Sequence, residues 1–371
     1  MAADKTLNLL DITTAGREIA LTDVMATDAP LAFARAKETA PLILPALRYL
    51  SRPDFASVFP EGPAQRPEPM LCVASECFLM GPFGSVVLPS GQLLRQSLLN
   101  LDGGSIQYTL EQFKAQFPGR WIPWSSTPNT VFSANGYSTN NYFHFMVDSL
   151  AQLQWRDRVS TLESAKTILT GFAPEAEATL PFMAGAMTAT NVDARTLQPY
   201  DGTLMFCRKI IFPRRTTGAT PAKAAWLRAH FGVTGRARGT ERLYIARGNA
   251  PRRRITNEPA VIKLLEANGF RSVDPGALSV AEQVALFANA AIVVGAHGAA
   301  LTNAIFMGEG AGVIELTHTD RVVNTYHEVA GAAKLNYACV IGDVVGDRSQ
   351  PVFSDFSVDV DALQTALKSV L

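Results

Sequence analysis

Two mixed α/β domains are the fold class this sequence predicts, on three observations. The chain has 371 residues, beyond the size at which one hydrophobic core usually stops growing. Its second half alternates short apolar runs with helix-period segments, the pattern of βαβ units around a parallel sheet. A stretch rich in Pro, Gly and Thr, PRRTTGATPAKA (213–224), lies near the middle as a linker. The expected division is 1–220, 221–345, and a tail over 346–371 whose helix packs across the domains.

In chain order, residues 1–120 form an irregular region apart from SECFLMGPFGSVVLPSGQLL (75–94), which reads as strands with turns. WIPWSSTPNT (121–130) reads as a loop, because two prolines interrupt it. NYFHFMVDSLAQLQWRD (141–157) reads as a helix, AKTILTG (165–171) as a strand, PEAEATLPFMAGAM (174–187) as a helix and LMFCRKIIFP (204–213) as a strand.

The second half is more regular. RLYIAR (242–247) is a strand, and TNEPAVIKLLEANGF (256–270) a helix with a glycine stop. RSVDP (271–275) is a strand. LSVAEQVALFANA (278–290) opens with Ser279 and Glu282 at capping-box spacing. AIVVGA (291–296) is a continuous apolar strand, GAALTNAIFM (298–307) a helix start and AGVIEL (311–316) the next strand. A helix over 322–335 and a strand over 336–344 complete a doubly wound domain. VDVDALQTALKSVL (358–371) has the period of an amphipathic helix.

Composition narrows the function. Thirty-three basic residues balance 33 acidic ones, so the chain lacks the basic excess of a nucleic-acid or anionic-membrane binder. Four cysteines without CxxC spacing argue against a zinc site or a disulfide framework and fit free buried thiols. The N-terminal residues show no apolar signal-peptide core, and no run of eighteen apolar residues occurs. A soluble cytoplasmic protein is expected, with peripheral membrane association left open.

Three groups could carry chemistry. In GRARGTERLYIARGNAPRRRITNE (235–258), Arg247 ends a strand and Arg252, Arg253 and Arg254 enter the next helix. Guanidinium forks there suit phosphate oxygens, and a solvated basic loop is the alternative. In HGAALTN, His297 follows a strand's carboxyl end, while Gly298 and Ala299 open a helix whose dipole favours an anion. His297 is either a core cap or a ligand contact. Neither GK[ST] nor GxGxxG is present, so P-loop hydrolysis and hydride transfer lose support. His144 and Asp148 stand four apart on a helix start and form a base with its partner or an ordinary polar pair. Glu315 ends its strand where a carboxylate could accept from ribose hydroxyls. His230, His318 and His327 have no metal-ligand spacing and read as surface or structural residues.

NYFHFMVDSL, LYIARGNAPRRRITNE, LSVAEQVALFANAAIVVGAHGAALTNAIFM and GVIEL, in this order over about 130–340, resemble glycosyltransferase family 61, including its bacterial capsular polysaccharide biosynthesis-type members. The chain departs from common family residues at Ala296, Ala300 and Ala151. The resemblance implies a GT-B-like fold, two Rossmann-like domains facing a central cleft, and an inverting, metal-independent transferase with no bound cofactor. The partners implied are a nucleotide-sugar donor, a UDP-sugar, and a glycan or other hydroxyl acceptor. It places Arg247, Arg253 and Arg254 with His297, Gly298 and Ala299 on the donor diphosphate, supported by Thr302 and Asn303, and Glu315 on the ribose. Asp148 or His144 then deprotonates the acceptor. A non-catalytic nucleotide-sugar or glycan-binding protein and a GT-B-like sugar-nucleotide epimerase are the alternatives.

Overall fold

A computed structural model describes residues 9–36, 40–81, 83–98, 125–136, 140–170, 180–193, 196–200, 202, 204–235, 237–246, 252–346 and 348–370. The chain divides into two compact units, Met1–Glu38 with Arg66–Thr217 and Thr39–Gln65 with Gly218–Leu371. The boundary between Thr217 and Gly218 falls inside the expected linker. Segment 39–65 belongs to unit 2 rather than to the first domain.

Unit 1 is built on a mixed sheet. Its strands of three or more residues are β1 (Leu31–Arg35), β2 (Met70–Met80), β3 (Ser85–Val87), β4 (Ser125–Ser133), β5 (Lys166–Thr170), β6 (Leu197–Tyr200) and β7 (Met205–Pro213). The central order is β3-β2-β7-β4-β5-β6, with β1 also pairing β2. Strands β7, β4, β5 and β6 are mutually parallel, and β2 is antiparallel to β7. Val131, Ile168, Ile210, Phe212 and Cys72 meet in its core. The expected loop at 121–130 is corrected over 125–130, which lies in β4. Pro128 is tolerated because the ladder to β7 shifts register between Thr127 and Thr130, where no N–H is required of it.

After β4 the helical segment is not one α-helix. A π-helical turn His144–Ser149 is followed by a 3-10 turn Leu150–Leu153 and then α1 (Gln154–Arg158). Helix α2 (Pro181–Ala189) starts at a proline, whose missing N–H costs nothing at a helix start.

Unit 2 is a doubly wound sheet. Its strands are β8 (Glu241–Ile245), β9 (Arg271–Val273), β10 (Ala290–Ala296), β11 (Gly312–His318), β12 (Asn336–Val345) and β13 (Asp355–Ser357). They lie in the order β9-β8-β10-β11-β12-β13, parallel except for β13. Every residue of β10 and β11 is buried, as expected of strands covered on both faces. Helices α3 (Pro221–His230), α4 (Glu258–Ala267), α5 (Val280–Ala288), α6 (Thr325–Ala333) and α7 (Val360–Val370) belong to the same unit.

Ser279 and Glu282 form the expected reciprocal cap of α5. Helix α7 buries Ala362, Leu363, Ala366, Leu367 and Val370 in the unit 2 core. A short strand, Leu47–Leu50, pairs parallel with β12. The four cysteines are buried and form no disulfide with one another. Among the described residues no helix is long and apolar enough to cross a membrane.

Candidate active site

The strands β9-β8-β10-β11-β12, numbered by their order in unit 2, run 2-1-3-4-5. Chain direction along the sheet therefore reverses between β8 and β10, and ligands of open α/β sheets sit outside the carboxyl ends at such a point. Gly295 keeps the two strands close there, since a Cβ would stand 3.1 Å from the Ile245 side chain. His297 follows β10 at this edge. Its N–H donates to Leu316 O at 2.7 Å, so the sheet ladder itself fixes the residue.

The imidazole is held from three sides. Nδ1 lies 2.5 Å from Glu315 Oε1, and the other Glu315 oxygen accepts from the Tyr337 hydroxyl. The Tyr326 ring packs 5.1 Å from the imidazole centroid, and its hydroxyl donates to Gly298 O at 2.5 Å. With Nδ1–H donating to Glu315 Oε1, Nε2 is the acceptor nitrogen of the neutral ring. Among the described residues no protein group bonds Nε2. Burial, and then the Glu315 charge, push the Tyr337 hydroxyl and the Cys339 thiol far up, so both stay protonated.

The arginine loop closes the other side of the switch point. Arg253 has φ 55°, in the left-handed region uncommon for residues other than glycine, and Nη1 donates to His297 O at 2.7 Å. Arg252 stacks 4.2 Å from the Phe353 ring centre. Arg254 is committed elsewhere: its Nε and Nη2 donate to Asp355 Oδ2 at 2.9 and 2.7 Å, and this pairing raises its pKa. Arg247 lies outside the described residues.

The turn Ala299–Phe306 is 3-10 rather than α-helical, and no side chain caps its start. Its first N–H groups therefore lack intrahelical partners. Asn303, fully buried, donates to Gln283 Oε1 at 2.8 Å and pins the turn to α5. Thr302 is 1% exposed beside the Tyr326 hydroxyl, so it meets that phenol rather than solvent. Glu315 is also 1% exposed with both oxygens on protein groups, so it orients His297 instead of presenting a free carboxylate to a ribose.

The histidines left aside as surface or structural are more involved. His318, fully buried at the end of β11, finds no partner for either ring nitrogen among the described residues. Burial holds its pKa below the ordinary 6.5; Asp320 opposes this, and Arg253 and His297 reinforce it. His327 is also lowered by burial, against the Pro45 carbonyl that Nε2 meets at 2.7 Å. Both bind a proton less readily in the folded protein than in the unfolded chain, which takes up these protons as pH falls through about 6.5. The unfolded state then binds more protons, so stability drops below that pH and is insensitive to these groups above it. Melting temperatures across pH 7.5 to 5 should show this fall, shallower in His318→Phe; an equal slope in that variant assigns it to other groups.

Unit 1 carries the second constellation. Asn141 Oδ1 accepts from Phe143 N at 2.9 Å and starts the helical segment. Across the π-turn, His144 Nδ1 lies 2.7 Å from Asp148 Oδ2. Asp148 is 1% exposed and His144 24%, so the carboxylate is the anchor and the imidazole the reachable group. Such π-turns are frequent at functional sites. Gly136 permits the fold-back, because a Cβ would stand 2.6 Å from Asp148 O.

Tyr326, Tyr337, Gln283 and His318 were not legible as site residues. An acid and a histidine in an otherwise apolar strand, GVIELTH, were the available signal. No curated protein matches the chain. Residues 142–314, which hold the His144–Asp148 pair, the arginine loop and His297, match the family model described as glycosyltransferase 61, a likeness that supports this family and the activity class of glycosyl transfer.

Proposed function

We propose that the protein is an inverting GT-B-type glycosyltransferase that moves a sugar from a UDP-sugar to a hydroxyl of a glycan acceptor in polysaccharide assembly. The observation that carries this reading is His297, locked by Glu315 and Tyr337 and crossed by Arg253 at the sheet's switch point, within the segment that matches the family. In this reading Arg253 and Arg247, the N–H groups from Gly298 and Ala299 onward, and His297 Nε2 bind the diphosphate. Arg254 supports them by tying the loop to Asp355, which replaces the direct contact expected from sequence. Thr302 and Asn303 hold the turn, and Glu315 positions the imidazole.

The transfer step assigns His144 as base and Asp148 as its positioning partner. The acceptor O–H gives its proton to His144, and the oxygen forms a bond to the anomeric carbon from the face opposite the diphosphate. The anomeric C–O bond to the diphosphate breaks and UDP leaves with the electron pair. Fixed positive groups stabilise that developing charge most where water is excluded.

Calorimetric titration of UDP tests the donor site. Arg253→Ala should weaken binding by about 1.5–3 kcal/mol, the worth of a hydrogen bond to a charged group. An unchanged affinity would leave Arg253 a structural residue, and no UDP binding to the unaltered protein would remove the donor reading.

A further inference from the structure

Unit 1 buries a cation that, among the described residues, no carboxylate answers. Arg215 stands just beyond β7 and is 7% exposed. Its Nη2 donates to Gly84 O at 2.6 Å and to Ser133 Oγ at 3.4 Å, while Nη1 meets no acceptor among the described residues. Burial lowers the guanidinium to about 10, which leaves it charged near neutral pH. The ionisable neighbour that bears on it is Tyr200, a phenol and so uncharged there.

A further buried polar group stands beside it without partners among the described residues. Asn135, 4% exposed, bonds through neither atom of its amide among the described residues. Gly84, at φ +63°, brings the two together: a Cβ there would stand 2.6 Å from Asn135 Nδ2 and 3.2 Å from Arg215 Nη2. Buried polar atoms are normally bonded, and an uncompensated buried charge is strongly unfavourable. Asn135 and Arg215 lie just beyond the carboxyl ends of the parallel strands β4 and β7, the edge where α/β sheets take ligands. A guanidinium with one nitrogen open and an amide are donors that suit an oxyanion.

We propose that Arg215 and Asn135 form an oxyanion subsite in unit 1, and that the acceptor carries an anionic group, a carboxylate or a phosphate, that binds there. This rests on the glycosyltransferase reading and names the acceptor class for it. The same chain segment holds both features: Gly136, next to Asn135, packs on the backbone of Asp148, whose carboxylate is paired with His144. An acceptor anchored at Arg215 would thus be registered beside that pair.

Calorimetry on the intact protein tests this with methyl glucuronoside, glucose 1-phosphate and uncharged methyl glucoside. At least one anionic probe should bind saturably, and at least tenfold more tightly than methyl glucoside; which one binds identifies carboxylate or phosphate. Asn135→Asp supplies a carboxylate beside Arg215, so it should cut that affinity at least tenfold while raising the melting temperature. Arg215→Gln should also lose it. Equal affinity for charged and uncharged probes, no saturable binding of either anion, or undiminished binding in Asn135→Asp would overturn the proposal. UDP titrated into the same samples separates the two readings. UDP binding without anion binding removes the subsite alone, and absence of UDP binding removes the donor site.

Discussion

Asp148→Asn is expected to lower the turnover of glycosyl transfer by about a hundred- to ten-thousand-fold, the range for general-base catalysis. The substitution is nearly isosteric, and residue 148 is 1% exposed, so the fold has little reason to change. The proton on the imidazole does have a reason. A carboxylate at 2.7 Å accepts from Nδ1–H and leaves Nε2 as the lone-pair nitrogen. An amide there can instead donate to Nδ1, which moves the ring proton to Nε2 and removes the base. UDP affinity should stay as it is, because the donor groups named above all belong to unit 2. Initial rates with donor and acceptor, alongside UDP titrations, separate the two effects. Transfer within tenfold of the unaltered protein would take the base away from this pair.

Glu315→Ala has the largest expected effect on stability, a loss of about 3–5 kcal/mol, as when one partner of a buried pair is removed. Both Glu315 oxygens are used, one by His297 Nδ1 and one by the Tyr337 hydroxyl, and truncation strands both groups in a dry interior. Glu315→Gln keeps an acceptor and should lose less, about 1–3 kcal/mol for the group left mismatched. The order of the two variants matters as much as the size. Urea unfolding followed by far-UV circular dichroism measures both. A loss under about 1 kcal/mol for Glu315→Ala would mean that water replaces the carboxylate and that His297 is not locked.

The doubly wound unit was legible because each element announces itself locally. Apolar runs such as AIVVGA need two covered faces, and Ser279 with Glu282 closes a cap through residues three apart. His297 could be placed at a strand's carboxyl end from its neighbours alone. Residues 31–35 and 47–50 could not be placed. They pair with Met70–Met80 and Asn336–Val345, in different units, and such distant pairing leaves no period in the sequence. Pro128 argued against a strand until a register shift excused it.

The sequence by itself determined the class of each segment in the second half, the strand end at which His297 stands and the residue types around it. Periodicity, caps and glycine stops act within a few residues, so a single segment carries them. Only the tertiary structure decided which charge faces which: Glu315 on His297 and Tyr337, Arg254 on Asp355, and Arg215 beside Asn135 with no carboxylate on it among the described residues. Electrostatic partners are set by distance in space and by the loss of water around them, and neither is written in the spacing of residues along a chain.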